Sequence, residues 1–394
     1  MPRPIHIMHL IHSLEAGGME NGVVNLCNRL DTTRFSASIC VLSAGGQLES
    51  RIDRDRVELV EVKRHFGNDP SVPFRLAALF HRRRVEIIHT HNWVTLVEGS
   101  GSASLARVPT WIHSEHGYPM EARKRNVQVQ RWLWKRASQL TSVSSELADS
   151  MTRLTDVDRS AIEVIPNGVD TQRFRPQQNP GERRKLPGLP DGGLVVGMVA
   201  RLTEVKNHEG AIRAIARLCN EGLDLQLVLV GDGELREHLE KLSIDVGMQG
   251  NIHFLGSREV VEDIYHAFDI FLLNSHQEGM SNTILEAMAS GATVVATAVG
   301  ASDEMVIDSE TGILIPPGDV TGLCEAIRQL TIPELRHRFA FNARQRAETT
   351  FGMDQMVRQY SELYHRQVRG SGLSGPVSKE AVGSEIPESP RGPG

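Results

Sequence analysis

Short apolar runs alternate with longer amphipathic segments in the first third of the chain. Runs of four to seven apolar-rich residues predict β-strands, whereas apolar residues that recur every three or four positions predict α-helices. The predicted strands are 5–11, 38–42, 87–90 and 110–114, and the predicted helices are 22–30, 74–83, 96–106 and 126–137. This alternation predicts a parallel sheet that is covered by helices on both faces.

The alternation restarts beyond 172–193, a segment whose Pro, Gly, Arg and Gln content predicts a linker. Strands are predicted at 194–200, 225–230, 252–255, 270–274, 293–296 and 312–315, and helices at 208–220, 235–246, 283–289 and 320–330. The pattern therefore predicts an α/β protein of two doubly wound domains, over 1–180 and 181–350. Fifteen of the last 25 residues are Gly, Pro or Ser, so 370–394 is predicted to be a disordered tail.

Charge is unevenly distributed between the two predicted domains. Residues 1–180 carry 23 Lys and Arg against 19 Asp and Glu, whereas the remaining residues carry 20 against 30. Halves of opposite sign are expected to have different partners. The overall charge of −6 gives no reason to expect nucleic-acid binding.

The start of the chain and its cysteines bear on location. No apolar run approaches the roughly 18 residues that cross a bilayer, and the first 14 residues lack the features of a signal peptide. The four cysteines, at 27, 40, 219 and 324, show no paired spacing, which argues against a disulfide framework and a cysteine zinc site. We therefore expect the protein to be cytoplasmic.

Three loops that follow predicted strands carry candidate chemistry, since ligands of doubly wound sheets bind beyond the carboxyl ends of strands. Gly17 and Gly18 precede a predicted helix, where free backbone N–H groups can meet an anion; taken alone, two adjacent glycines are more typical of a simple tight turn. Arg201 and Lys206 follow the strand at 194–200 and can converge on a diphosphate; the alternative is ordinary surface charge.

The third loop, 276–291, offers two carboxylates and a helix start. Glu278 lies in the loop and suits sugar hydroxyls, the residues from Ser281 to Thr283 supply hydroxyls and amides for a phosphate, and Glu286 suits a ribose diol. The alternative for Glu286 is structural, because Thr283 and Glu286 have the spacing of a capping box.

Glu278 and Glu286, with seven residues between them and Ala-Met-Ala-Ser-Gly after them, resemble the E-x7-E signature of the retaining glycosyltransferases of family 4. The resemblance extends over about 5–369 through the following motifs: 17–20 (Gly-Gly-Met-Glu), 115–117 (Glu-His-Gly), 165–170 (Ile-Pro-Asn-Gly-Val-Asp) with Phe174, Arg201 with Lys206, and 312–319 (Gly-Ile-Leu-Ile-Pro-Pro-Gly-Asp). The stretch Gly-Gly-Met-Glu-Asn-Gly is most similar to the bacterial branch that assembles exopolysaccharide in exosortase-associated gene clusters.

The resemblance implies a GT-B fold, in which two Rossmann-like domains face a central cleft and a C-terminal helix, 351–369, crosses back to the first domain. It implies that Arg201 and Lys206 neutralise a leaving nucleoside diphosphate, that Glu278 holds the transferred sugar and that Glu286 binds the ribose. It further implies that His116 faces the reacting carbon and that Gly17 and Gly18 close on the phosphates. The remaining donor contacts would come from Gly279, Met280, Ser281, Asn282 and Thr283.

The sequence departs from the family in one turn. Many relatives have Gly-Gly-x-Pro-Glu after the strand at 293–296, whereas this chain has Gly-Ala-Ser-Asp-Glu at 300–304. The second glycine and the proline are lost and Glu304 stays, which leaves the donor contacts of this turn in doubt.

No metal is expected. Asp53 with Asp55, and Asp156 with Asp158, superficially match the D-x-D metal motif of the other glycosyltransferase fold. Neither pair follows an apolar strand of the donor domain, so both are interpreted as surface charge. Two cations already assigned to the diphosphate leave no need for a divalent ion.

The segment 120–136 predicts a surface for anionic lipid. It holds six basic residues and one acidic residue together with Trp132 and Trp134. The alternative is a solvated helix beside an anionic acceptor.

These features predict a retaining glycosyltransferase that moves a sugar from a UDP- or GDP-linked donor to a glycan or polyprenyl-linked acceptor, in the cytoplasm or on the inner face of the cytoplasmic membrane. Cell-surface polysaccharide synthesis is the expected setting. A sugar-nucleotide epimerase or hydrolase of the same fold would turn over donor without acceptor. A catalytically silent nucleotide-sugar-binding scaffold would not need Arg201, Lys206 and Glu278 together.

Overall fold

The computed structural model describes residues 3–15, 17–64, 69–117, 124–177, 192–258 and 260–370. Most of the predicted linker 172–193 and all of the predicted tail beyond residue 370 lie outside these ranges. Within the described part of the chain, no helix combines the length and the apolar character needed to span a bilayer.

Seven parallel strands form the first sheet, in the order β3-β2-β1-β4-β5-β6-β7. The strands are β1 (Ile5–Ile11), β2 (Phe35–Val41), β3 (Val57–Glu61), β4 (Ile87–His91), β5 (Thr110–Glu115), β6 (Gln139–Ser142) and β7 (Ile162–Val164). The helices that accompany them are α1 (Gly18–Arg29), α2 (Val72–Arg83), α3 (Asn92–Ala106), α4 (Lys124–Trp134) and α5 (Ser145–Thr155). The order reverses direction at β1, where doubly wound sheets bind their ligands.

Six parallel strands form the second sheet, in the order β10-β9-β8-β11-β12-β13. The strands are β8 (Leu194–Val199), β9 (Leu225–Val230), β10 (Ile252–Gly256), β11 (Ile270–Leu273), β12 (Thr293–Thr297) and β13 (Gly312–Ile315). The helices are α6 (His208–Asn220), α7 (Arg236–Asp245), α8 (Glu262–Tyr265), α9 (Asn282–Ser290), α10 (Ser302–Met305), α11 (Val320–Gln329), α12 (Pro333–Thr350) and α13 (Met353–Gly370). The predicted architecture of two doubly wound domains is confirmed.

Helix α13 packs against the first domain, although it follows the second domain in sequence. Its residues Met356, Tyr360 and Tyr364 are buried in one core with Ile7 of β1 and Val23 of α1. The entry to the helix is fixed as well, since the Val169 N–H donates to the Phe351 carbonyl at 2.8 Å and the Met353 N–H donates to the Val169 carbonyl at 2.9 Å. The helix thus returns from the second domain to β1 and α1 of the first domain.

Many element boundaries differ from the sequence prediction by one to four residues, and strands β3, β6 and β7 and helices α5, α8, α10 and α12 were not predicted. Helix α1 begins at Gly18 rather than at residue 22, because Gly17 takes the extended N-cap conformation and the first turn contains few apolar residues. The start of the predicted linker is packed rather than free, since Phe174 is buried and its ring centroid lies 5.9 Å from that of Tyr265.

Candidate active site

Loops from the two domains meet at the carboxyl ends of β1, β5, β8 and β11. The Asn282 side-chain amide donates to the Gly18 carbonyl at 3.1 Å, and it accepts a hydrogen bond from Asn167 at 2.9 Å. A Cβ atom on Gly279 would collide with the carbonyl oxygen of His116. Direct contact across the cleft therefore requires glycine at 279 and uses Asn282 as a bridge.

Lys206 and Glu278 form an ion pair in the second domain. Their side chains are 21% and 11% exposed, and the Ser275 hydroxyl donates to the same carboxylate oxygen, Oε1, at 2.6 Å. The two loops are held together because the His276 N–H donates to the Val205 carbonyl at 2.7 Å. Glu278 Oε2 accepts no hydrogen bond from the described residues, which leaves it available for a sugar hydroxyl.

Arg201 lies beyond the carboxyl end of β8 with its side chain exposed. Its charge acts across the cleft on Glu20. Burial raises the pKa of Glu20, and a hydrogen bond to the backbone of Glu20 and the charge of Arg201 oppose that rise. Glu20 folds back over the glycine turn so closely that a Cβ atom on Gly17 would collide with its carboxylate. The Gly17–Gly18 turn therefore places a carboxyl group, as well as backbone amides, opposite Arg201.

The first turn of α9 presents its amides toward the cleft. Ser281 is the N-cap residue, its hydroxyl lies 2.9 Å from that of Thr283, and neither forms a side-chain cap. Amides of a first turn have no acceptor within their own helix, so they remain available to an anion. The Met280 side chain is buried, and its sulfur accepts from the Asn167 N–H at 3.2 Å, so only its backbone remains for the predicted donor contact.

Glu286 serves no capping box. The N-cap of α9 is Ser281, which places Glu286 beyond the N3 position, and its carboxylate instead accepts a hydrogen bond from the Tyr265 hydroxyl at 2.7 Å. Burial raises the pKa of Glu286 to about 7, and the Tyr265 hydrogen bond and the charges of Arg173 and Arg51 limit the rise. The capping-box alternative for Glu286 is therefore excluded, and its contact with a ribose stays a prediction.

Two arginines near Glu286 were not predicted as site residues. Arg173 pairs with Glu262, and Arg51, which comes from the first domain, donates to Asn21. Both guanidinium groups lie close enough to affect the pKa of Glu286. No local pattern indicates either residue, since 51, 173 and 286 are far apart in sequence.

His116 is half-buried and contacts a row of buried imidazoles. Its Nε2 is 2.9 Å from Nδ1 of His91, whose Nε2 is 3.0 Å from Nδ1 of His9. Burial, and next the neighbouring His113, lower the pKa of His116 to about 3, so the ring is neutral at pH 7. Its Nδ1 is buried and has no hydrogen-bond partner among the described residues.

Among the residues that the structure describes, His9, His89 and His91 form the cluster that could hold a metal ion. The nitrogen atoms of His9, His89 and His91 lie within 4.8 Å of one another, in the buried interior of the first domain. Each of their six ring nitrogens already has a hydrogen-bond partner. All the nitrogen atoms that could bind a metal are therefore engaged in hydrogen bonds within the protein. That the enzyme needs no metal stays a prediction.

Glu304 joins the domains. Its carboxylate oxygens accept hydrogen bonds from the Ser145 and Glu146 amides at 3.1 and 3.0 Å, at the N-terminal end of α5. The same turn touches the donor loop, because the Ala301 N–H donates to the Gly279 carbonyl at 2.8 Å.

Only one of the two tryptophans in the predicted lipid-facing segment 120–136 is exposed. Trp134 is 1% exposed and lies in the core, whereas Trp132 is 55% exposed and carries the Arg136 guanidinium 3.7 Å from its ring centroid. Residues 118–123 lie outside the described ranges. Trp134 is buried because it lies on the opposite side of α4 from Trp132, two residues away.

The two D-x-D pairs have local structural partners. Asp156 pairs with Arg131 at 2.6 Å, and Asp158 accepts a hydrogen bond from the Ser160 N–H at 2.9 Å. Asp53 accepts from the Asp55 N–H at 3.1 Å.

Comparisons with known proteins cover both domains. A family model described as Glycosyltransferase Family 4 matches residues 16–173, and one described as glycosyl transferases group 1 matches residues 181–346. A UDP-Gal:alpha-D-GlcNAc-diphosphoundecaprenol alpha-1,3-galactosyltransferase of Escherichia coli is 30% identical over 299 residues, which are 73% of this chain and 77% of that protein. A D-inositol 3-phosphate glycosyltransferase of Corynebacterium diphtheriae is 26% identical over 351 residues, or 80% and 82% of the two chains.

The fold matches solved structures over nearly the whole chain. Anabaena HepE in complex with UDP has a TM-score of 0.81 at 21% identity, over 92% of this chain and 100% of that one. The same protein in complex with UDP-glucose has a TM-score of 0.80 at 22% identity, with the same coverage.

Proposed function

This chain belongs to glycosyltransferase family 4, and on that premise we propose that it transfers a hexose from a UDP-sugar to a polyprenyl-diphosphate-linked acceptor with retention of the anomeric configuration. The uridine donor is supported by the UDP and UDP-glucose complexes of a protein with the same fold. The acceptor is supported by the name of the E. coli relative, which contains a diphosphoundecaprenol-linked sugar. Assembly of a cell-surface polysaccharide is the proposed setting.

The observation that carries this proposal is the Lys206–Glu278 ion pair beside the first turn of α9. Departure of UDP places growing negative charge on a phosphate oxygen, and charges and amides that are already in place stabilise it without reorganisation. Lys206, Arg201 and the α9 amides supply that stabilisation, so we propose that no metal ion is required. Glu278 Oε2 would accept a hydroxyl of the transferred sugar, and Glu286 would accept the ribose hydroxyls.

The proposed reaction breaks the bond between the anomeric carbon and the diphosphate oxygen and forms a bond to the acceptor oxygen on the same face. The acceptor's hydroxyl proton passes to the leaving diphosphate oxygen. His116, whose carbonyl touches Gly279, would contact the sugar from the first domain. Positioning and electrostatic stabilisation together account for the lowering of the barrier.

We also propose that α4 meets anionic lipid near the acceptor. The exposed Trp132 with Arg136 across its ring forms the described part of this surface, which we call the α4 surface. The sequence places the basic residues 123–125 just before it. Each cation near such a membrane contributes about 1 kcal/mol.

A donor and acceptor screen tests the proposed function. The protein is incubated with UDP-galactose, UDP-glucose or GDP-mannose, with and without a short-chain polyprenyl-diphosphate-GlcNAc, and the products are analysed by mass spectrometry and NMR. We expect a lipid-linked disaccharide of retained configuration from a UDP-sugar, after treatment with EDTA as well as before it. Free sugar or an epimer without acceptor would instead support the hydrolase or epimerase function, and binding without turnover would support the silent scaffold.

A further inference from the structure

Five side chains form one continuous hydrogen-bonded chain that runs from His116 into the core of the first domain. Beyond His91 and His9, Nε2 of His9 lies 3.3 Å from the Tyr364 hydroxyl, which lies 2.9 Å from Nδ1 of His89. Nε2 of His89 lies 2.6 Å from the Ser114 hydroxyl. We call this series, from His116 to His89, the histidine chain.

Parallel strand register builds the histidine chain. Neighbouring strands β1 and β4 place His9 beside His89, and His91 follows two residues later on the same face of β4. Tyr364 is contributed by α13 and is fully buried. The histidine chain therefore contains a residue of α13, the helix that follows the second domain in sequence.

Each imidazole of the histidine chain is neutral at pH 7. Burial lowers the pKa of His9 to about 3 and lowers the pKa values of His89 and His91 well below the ordinary value, with neighbouring histidines adding to the effect. A neutral imidazole donates from one nitrogen and accepts at the other. Consequently, the direction of one hydrogen bond determines the direction of all the others.

Tyr364 sets that direction, because its hydroxyl can donate only once. Hydrogen bonds from O–H are shorter than those from N–H, so we assign the 2.9 Å contact to donation by Tyr364 to His89 and the 3.3 Å contact to donation by His9 to Tyr364. It follows that His9 donates from Nε2 and accepts at Nδ1, that His91 does the same, and that His116 donates from Nε2. The His116 Nδ1 then carries a lone pair, in keeping with the rarity of buried N–H groups that lack a partner.

We propose that His91, His9 and Tyr364 are positioning residues that hold His116 as its Nε2–H tautomer and thereby fix the His116 carbonyl where it meets Gly279 at the cleft. This inference rests on the proposed function, in which His116 contacts the transferred sugar. The docking of α13 is then part of the active site, since removal of the Tyr364 hydroxyl releases the far end of the histidine chain.

A matched pair of variants at His91 tests the proposal. His91→Leu removes the acceptor for His116, whereas His91→Asn retains a carbonyl oxygen that can accept from Nε2–H. We expect the Leu variant to lower kcat roughly 3- to 10-fold, in line with one net hydrogen bond, with little change in the KM for the nucleotide sugar. The Asn variant should recover most of kcat, and the same pair at the exposed His238 of α7 should have no effect.

A spectroscopic measurement reports the tautomer directly. In protein labelled with ¹⁵N-histidine, the two-bond ¹⁵N–¹H pattern of His116, assigned from its loss in His116→Gln, should show protonation at Nε2. In Tyr364→Phe and in His91→Leu it should shift toward a mixture of tautomers. A proton on Nδ1 in the unmodified protein, or a pattern that neither variant changes, would overturn the proposal.

Two further outcomes separate the proposal from its alternatives. Stoichiometric zinc in the purified protein that is lost in His9→Asn would overturn it, since the ring lone pairs would then bind metal. If no nucleotide sugar is turned over at all, the proposed function fails, while the His116 tautomer still reports whether the histidine chain exists.

Discussion

The Glu304 carboxylate accepts hydrogen bonds from the Ser145 and Glu146 amides, so a residue of the second domain binds the N-terminal end of a first-domain helix. A carboxylate at this position also interacts favourably with the positive end of the helix dipole. The residue that the family resemblance left without a clear role thus holds the two domains together.

Loss of this contact should weaken the association of the domains. Glu304→Ala removes both acceptors and the charge, and because the site is only partly buried we expect a cost of about 1 kcal/mol in domain contact. The radius of gyration from small-angle scattering should increase, while the neighbouring exposed variant Asp303→Ala should not change it. An unchanged radius in Glu304→Ala would show that other contacts suffice.

The raised pKa of Glu286 predicts pH-dependent nucleotide binding. A ribose diol is best bound by the ionised carboxylate, so below the pKa of about 7 the contribution of this group should fall by up to ~10-fold per pH unit. Calorimetric titration of UDP at pH 6 and pH 8 should show this change on top of the titration of UDP itself. Glu286→Gln should bind more weakly and lose the added pH dependence, whereas Glu237→Gln on α7 should behave as the unmodified protein does.

The neutral buried histidines predict that the fold is destabilised by mild acid. The unfolded state binds protons below about pH 6.5, whereas His9 and His116 in the folded state do so only near pH 3. Each such group lowers the free energy of unfolding by about 1.4 kcal/mol per pH unit in this window. Glu286 has the opposite effect on the free energy of unfolding, between its unfolded pKa of 4.5 and its folded pKa of about 7. At least two histidines outweigh this single carboxyl group.

Thermal melts between pH 7.5 and pH 5 measure this balance. The Tm should fall with pH, and the fall should be smaller in His9→Asn because one of the proton-excluding groups is gone. A Tm that rises toward pH 5 would mean that the histidines are already protonated in the folded state.

The α4 surface should bind anionic vesicles reversibly. Reversing the charges of Arg123, Lys124 and Arg125, or replacing Trp132 with Ala, should reduce co-sedimentation with anionic lipid. Raising the salt from 0.1 to 1 M should do the same, because the Debye length falls from ~10 to ~3 Å. Reversal of three exposed cations in the second domain, Lys241, Arg213 and Arg338, is the matched control.

Equal recovery with neutral and anionic vesicles, or no recovery with either, would identify α4 as an ordinary solvated helix. Transfer to a short soluble acceptor should survive the charge reversal, because the donor site lies in the other domain.

The fold was largely predictable from local pattern, and the gaps have physical causes. Buried strands such as β11, which is apolar at every position, are recognisable alone. By contrast, β6 has one apolar residue in Gln139–Ser142, and α12 is mostly polar, so their structure depends on neighbours that the sequence pattern does not reveal.

The site also contains residues that the sequence predicts and residues that it does not. Lys206 and Glu278 were predictable because each lies in the loop after a recognisable strand, and both loops belong to one sheet. The histidine chain was not, because it requires the register of β1 with β4 and the return of α13 with Tyr364. Likewise, no sequence spacing relates Arg51 to Glu286.

The central claim is that preorganised charge in the second domain drives departure of the nucleoside diphosphate. The most direct test is the steady-state kinetics of Lys206→Ala and Arg201→Ala in sugar transfer from the preferred nucleotide sugar, with Lys241→Ala as the matched control. We predict that each site variant lowers kcat/KM by at least ~10²-fold, the scale of losing one preorganised group at a developing anion, and that the control does not. Near-normal turnover in both site variants would contradict the account and would make Arg201 and Lys206 ordinary surface charges.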